Sequence, residues 1–185
     1  PFGYHLENIL LHATAVSLIF LLISRLYDNR RLAYFTATLF AVHPVTAEPV
    51  NFVSSRPDLL CGVFILAAFL ALSSTSMKKT SRAGLSGMFF FAALLSKEPA
   101  IIIPAFLLSL AILEPRRRKI RPNISVILVA FGLTALYFIL RALVLGTLLT
   151  HSDTELDLKT LQWSLTTLYH YFRLLLFPLH LSADY

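Results

Sequence analysis

Residues 6–26 carry few ionisable side chains and are long enough to cross roughly 30 Å of hydrocarbon as one helix. Inside lipid every backbone N–H and C=O must be satisfied within the segment, so such a run commits the chain to helix. Further apolar runs occupy 32–42, 59–73, 83–113, 123–145 and about 161–181, with polar breaks at 43–58 and 96–99. Charged residues make up only 14% of the chain and hydrophobic ones 57%, where a soluble domain is about a quarter charged. The expectation is an all-α, polytopic transmembrane bundle with about six or seven hydrophobic passes, forming a single domain over residues 1–185.

The net charge of +6 could suggest nucleic acid, but the basic residues sit in short clusters between apolar runs. That is the signature of cytoplasmic connectors, so membrane lipid is the expected surroundings and no nucleic-acid partner is expected. The connectors 25–31, 74–82 and 114–121 hold eleven cations against Asp28 and Glu114. For all three to share a side, 32–73 must cross twice, turning at 43–58, and 83–113 must cross twice, turning at 96–99. Helical hairpins that enter and leave without crossing fully would give the same charge pattern. The other face then collects Glu7, Glu48, Arg56, Asp58, Lys97, Glu98, Arg141, Asp153, Glu155, Asp157 and Lys159, four positive against seven negative. The sequon Asn123-Ile124-Ser125 falls on the cytoplasmic side. The single cysteine, Cys61, excludes an internal disulfide. The chain opens at Pro1 without a methionine and closes on Ala183-Asp184-Tyr185, so it reads as a segment of a longer protein.

Three clusters on the polar face have the chemistry of a site. In His43-Pro44-Val45-Thr46-Ala47-Glu48 the proline disfavours helix at His43 and re-aims the chain. His43 and Glu48 can exchange protons or bind a polar substrate. The bland alternative is that Pro44 and Pro49 only kink helices at interfacial water. Arg56-Pro57-Asp58 follows, with a guanidinium suited to phosphate oxygens; an Arg56–Asp58 or Arg56–Glu48 pair that merely holds the turn is the alternative. Lys97-Glu98 interrupts a long apolar run, and charges at membrane depth are costly enough to be functional by default. Their alternative is a mutual ion pair at a hairpin tip. Asn8 and His12 lie near the face of the first helix that holds His5 and Glu7, and read as helix–helix hydrogen-bonding groups. No Cys/His spacing marks a metal site. His151 with Asp153, Glu155 and Asp157 reads as an ordinary solvated loop.

Four motifs occur in order: Gly3-Tyr4-His5-Leu6-Glu7-Asn8-Ile9-Leu10-Leu11-His12, Phe40-Ala41-Val42-His43-Pro44-Val45-Thr46-Ala47-Glu48-Pro49-Val50, Ser55-Arg56-Pro57-Asp58-Leu59-Leu60 and Leu95-Ser96-Lys97-Glu98. With Pro178-Leu179-His180-Leu181-Ser182-Ala183-Asp184-Tyr185 at the end, they resemble the membrane O-mannosyltransferases that carry tetratricopeptide repeats, and their bacterial relatives. These belong to the lipid-phosphate-sugar-dependent glycosyltransferases of the GT-C fold. The family pattern has a small residue or glycine before the arginine and alanine after it, where this chain has Ser54-Ser55-Arg56-Pro57-Asp58, a modest departure.

The resemblance implies transfer of a mannose-like sugar from a polyprenyl- or dolichyl-phosphate donor to hydroxyls of an acceptor protein. The motif face would be periplasmic in a bacterial inner membrane, or lumenal in the endoplasmic reticulum. It assigns Arg56 and Lys97 to the donor phosphate, and His5, His43, Asp58 and Glu98 to the pocket. Glu48 or Glu7 would be the acidic catalyst among the residues present. The family's usual acidic motif would lie upstream of Pro1 and the repeats downstream of Tyr185, which would leave this segment inactive by itself. The rival reading is a non-enzymatic lipid-linked-sugar flippase or polytopic scaffold using the same pocket.

Overall fold

The computed structural model describes residues 2–113, 122, 124–146 and 158–176. Among them every regular element is helical. Helix α1 spans Phe2–Tyr27, α2 Arg30–Val42, α3 Ala47–Asn51, α4 Arg56–Leu72, α5 Lys79–Ser96, α6 Ile103–Leu113, α7 Ile124–Leu145 and α8 Leu158–Leu176. Short 3₁₀ turns at Pro44–Thr46, Val53–Ser55 and Glu98–Ile102 join them at the polar breaks. The basic connector 114–121, Asn123, the loop residues His151, Asp153, Glu155 and Asp157, and the closing 178–185 motif lie outside the described residues.

The helix ends follow local chemistry. Asp28 takes a left-handed φ of 51° after α1, and Asn29 caps α2 by accepting the Leu32 N–H at 3.0 Å. Pro44 forces His43 out of helix to φ −67°, ψ 127°, which stops α2. Pro57 sits in the first turn of α4, where a missing N–H costs nothing, with Asp58 beside the positive end of that helix. Pro99 follows Lys97, which is extended at φ −157°, ψ 143° and closes α5. Gly146 ends α7 at φ 70°, its N–H donating to Ala142 O at 2.9 Å.

Helices α4 to α7 enclose the core, which includes Phe69, Leu72, Phe90, Leu94, Ile103, Leu107, Ile127 and Ala130. Helix α1 packs on α2 and α4 and adds Leu22 to the core, with Leu26 against it. Many contact positions are small: Ala68, Ala71, Ser86, Ala93, Ala100 and Ala130 are buried, which lets helix backbones approach closely where lipid removes the hydrophobic drive for helices to associate. Outside the core, Leu10, Tyr34, Phe35, Met88, Ile112, Leu143 and Val144 are more than half exposed. So much outward apolar surface would be insoluble in water and is suited to lipid.

Gly3–Tyr27 and Ile124–Val144 are each long and apolar enough to cross a membrane. The segments Pro44–Asn51 and Arg56–Leu72 meet at a 119° bend and add a third span only if taken together. Helix α2, at 13 residues, is too short to cross alone.

Long-range contacts fix the direction of each helix. Arg25 Nη1 donates to Leu70 O at 3.1 Å and Arg82 Nη1 to Ser74 O at 3.0 Å, which gathers the connectors 25–31 and 74–82 at one end of the bundle. The 43–58 segment, the 97–102 segment and Arg141 gather at the other.

Candidate functional site

Three charge pairs stand in a row at the proline-marked end. Arg56 at the start of α4 faces Glu7 of α1, with Nη2 3.1 Å from Oε2. Asp58, one turn into α4, is paired with Lys97 at the end of α5. Glu98, the next residue, is paired with Arg141 of α7. Each pair joins a different set of elements, and the row runs acid–base–acid–base–acid–base with no net charge. Side-chain exposures run from 15% at Arg141 to 58% at Glu98, so the row is part-buried rather than enclosed in the core.

The pairings differ from both local alternatives in the sequence. Arg56 pairs with neither Glu48 nor Asp58, and Lys97 does not pair with Glu98. The extended backbone at Lys97 sends neighbouring side chains to opposite sides, so Lys97 reaches α4 while Glu98 reaches α7.

Arg56 is the least satisfied of the cations. Its guanidinium lies 5.0 Å from the centre of the Tyr4 ring, a cation–π contact favoured where water is excluded. The Glu7 carboxylate is close enough to pair but is not aligned for a hydrogen bond, and the buried Nε and Nη2 hydrogens have no acceptor. Buried donors without acceptors are costly in a folded protein. A ligand bringing oxygens to this spot would satisfy them.

The 44–55 segment is held in place by Asn8. Fully buried at 0% exposure, Asn8 donates from Nδ2 to the carbonyls of Val50 and Phe52 at 3.2 Å each, and to Pro49 O at 3.4 Å. Those carbonyls come from the end of α3 and the residue after it, where the helical hydrogen-bond ladder has stopped; Phe52 O also accepts the Ser55 N–H at 3.1 Å. His12, one turn further along α1, contacts Ala41 O at 3.3 Å and stacks on Phe40 with ring centres 5.5 Å apart. The reading of Asn8 and His12 as helix–helix hydrogen-bonding groups therefore holds, with irregular backbone as Asn8's partner.

His43 caps the 44–46 turn, its Nδ1 accepting from Val45 N–H at 3.3 Å, while Nε2 lies 3.1 Å from Leu175 O of α8. A neutral ring protonated on Nε2 satisfies both contacts. Thr46 closes the same turn by donating to His43 O at 2.7 Å. Glu48, on α3, is exposed and has no partner among the described residues. His5 is exposed on α1 beside Tyr4 and Glu7.

The structure thus brings together Glu7, Arg56, Asp58, Lys97 and Glu98. Glu48 and His43 stand on the adjoining turn, and His43 is turned toward α8. Two contributors had escaped the sequence reading as partners. Tyr4 stands three residues before Glu7 and so shares its helix face. Arg141 is a charge inside a span, which calls for a counter-ion within reach. Among the described residues no cluster of three His, Cys, Asp or Glu side chains is placed to hold a metal ion.

A family described as dolichyl-phosphate-mannose-protein mannosyltransferase matches residues 2–140. Among curated proteins, the mouse protein O-mannosyl-transferase TMTC3 is 47% identical over 75 residues, 40% of this chain and 8% of that protein. The fruit-fly (Drosophila melanogaster) protein O-mannosyl-transferase Tmtc1 is 38% identical over 102 residues, 55% of this chain and 12% of its own length. The human protein O-mannosyl-transferase TMTC4 is 32% identical over 124 residues, 56% of this chain and 17% of its own length. The chain therefore spans a small part of the relatives it matches. No solved structure matches it significantly.

Proposed function

Since the chain belongs to the dolichyl-phosphate-mannose-protein mannosyltransferase family, we propose that it forms part of the membrane domain of a protein O-mannosyltransferase. The donor is a polyprenyl- or dolichyl-phosphate sugar and the acceptor a hydroxyl of a protein. The carrying observation is Arg56, whose buried Nε and Nη2 hydrogens lack acceptors within a charge row that also holds Lys97. A guanidinium offers phosphate a planar fork of donors, and an ammonium beside it adds point charge.

In this reading the donor phosphate is received by Arg56 and Lys97, displacing Glu7 and Asp58 from them. The acceptor oxygen attacks the anomeric carbon, the bond from that carbon to the phosphate oxygen breaks, and lipid phosphate leaves. Arg56 and Lys97 stabilise the charge building on the leaving phosphate. The acceptor proton passes to a carboxylate. Among these residues Glu48 suits that role because its carboxylate is exposed and unpaired, whereas Glu7 is held by Arg56 until donor arrives. His5, His43 and Asp58 shape the surrounding pocket, while Glu98 is drawn away from it to Arg141 of α7. The site faces the lumen or periplasm, opposite the basic connectors. Six or seven passes are reached if α2, α5, α6 and α8 cross as short spans beside the two full-length ones, α1 and α7, and the bent pair of Pro44–Asn51 with α4.

The test is mannose transfer from labelled polyprenyl-phosphate mannose to acceptor protein, in membranes containing the full-length protein. Lys97→Met and Arg56→Met are expected to lower transfer at least about a hundredfold, the scale of removing a transition-state charge stabiliser, with protein levels unchanged. Undiminished turnover in both variants would refute the phosphate site. Donor binding by the wild-type protein without transfer would point instead to a flippase or scaffold.

A further inference from the structure

Lys97 and Glu98 leave the extended backbone on opposite sides, but they are chain neighbours, and a lysine on a flexible four-carbon stem can swing back to an adjacent carboxylate that nothing else holds. A mutual pair would cancel the lysine as a phosphate ligand. The geometry points to Arg141 as the residue that prevents this: we propose that Arg141 is a positioning residue that captures Glu98 and thereby leaves Lys97 directed at the site.

Several observations converge. Arg141 Nη1 is paired with Glu98 and accepts no freedom from its own helix, because the same nitrogen donates to the Tyr137 hydroxyl one turn earlier at 3.0 Å. The Arg141 side chain is 15% exposed and Glu98 58% exposed. Arg141 lies within the span Ile124–Val144, where an unpaired cation is costly. The dependence is one-sided, since the arginine needs the carboxylate more than the exposed carboxylate needs the arginine. Guanidinium is also less strongly hydrated than ammonium and binds carboxylate with fixed directionality, so Arg141 outcompetes Lys97 for Glu98. With Glu98 drawn toward α7, Lys97 turns to Asp58 on α4, beside Arg56. Removing Arg141 returns Glu98 to Lys97, where it competes with the donor phosphate.

This inference rests on the phosphate role proposed for Lys97, and the variants separate the two. Donor KM and kcat are measured for transfer from polyprenyl-phosphate mannose by the full-length protein in membranes. Arg141→Met is expected to raise donor KM about tenfold, with kcat changed less than about threefold. The double variant Arg141→Met/Glu98→Gln is expected to bring KM back to within about threefold of wild type, because the competing carboxylate is gone. A merely structural arginine would not be rescued by removing its own partner. If Arg141→Met fails to insert, Arg141→Gln, which keeps a donor toward Tyr137 but no charge, carries the same expectation and the same rescue. An unchanged KM in the single variant, or a raised KM that persists in the double, overturns the positioning role. If Lys97→Met itself leaves KM and transfer unchanged, the phosphate role of Lys97 fails and the positioning role falls with it. Loss of transfer in Lys97→Met with a normal Arg141→Met refutes the positioning role alone.

Discussion

The two ends of the bundle use the same basic side chains in different ways. At the connector end, Arg25 and Arg82 donate to the carbonyls of Leu70 and Ser74, at and just beyond the C-terminus of α4. Cations there answer unsatisfied carbonyls and the negative end of a helix, and Arg30, Arg31, Lys78 and Lys79 are simply exposed. At the proline-marked end, Arg56, Lys97 and Arg141 each meet a carboxylate from another element, and Arg56 still has buried donors to spare. A cation that binds only its own fold's backbone serves stability and orientation. One that is held by an exchangeable carboxylate can release it to a ligand. This difference, more than the number of charges, is what supports the site proposed at the proline-marked end.

Substitutions at each end can break or sharpen that contrast. The largest effect is expected at Glu48. Glu48→Gln should lower kcat for transfer by about 10²- to 10⁴-fold, the usual contribution of a general base, with donor KM little changed; near-normal kcat would move the base to Glu7 or to a residue outside the described ones. Next comes Asn8→Leu. It keeps approximate volume but strips the donor from the carbonyls of Pro49, Val50 and Phe52. Phe52 O keeps the Ser55 N–H, but losing the Asn8 donor at Pro49 and Val50 costs about 1–3 kcal/mol, which should appear as a lowered thermal midpoint in detergent and a raised donor KM. An Asn8→Leu protein with wild-type midpoint would mean that the 44–55 segment is held by other contacts. The smallest effect is expected at the connector end, where Arg25→Gln and Arg82→Gln should each cost about 0.5 kcal/mol and leave transfer unaltered. A loss of transfer there equal to that of Arg56→Met would erase the distinction between the ends.

How much could be read in advance differs by feature. The helices fall close to the apolar runs: α1 begins four residues before the expected 6–26 run, and α7 matches 123–145 within a residue. The turns at 43–58 and 96–99 are where expected because prolines at 44, 49, 57 and 99 act on their immediate neighbours. The candidate residues gathered at one end because charge segregation along the chain reflects alternation of helix direction. The anchoring of the 44–55 segment was less legible. Asn8 was recognisable as a hydrogen-bonding group on a helix face, but its partners are backbone carbonyls more than 40 residues away, and carbonyls leave no mark in a sequence.

The sequence by itself determined the helical class, the membrane setting, the places where helices must stop and the sorting of charge to two ends. All of these follow from local causes: hydrocarbon thickness, proline's missing donor and fixed φ, and the cost of charge in lipid. Tertiary structure decided who pairs with whom. Nearness in sequence suggested Arg56 with Asp58 or Glu48 and Lys97 with Glu98, whereas the pairs that form bridge 39 residues between Asp58 and Lys97 and 43 between Glu98 and Arg141. An extended backbone at Lys97 and the lateral order of the helices place each charge beside a carboxylate of another element, and only the packed bundle sets that order.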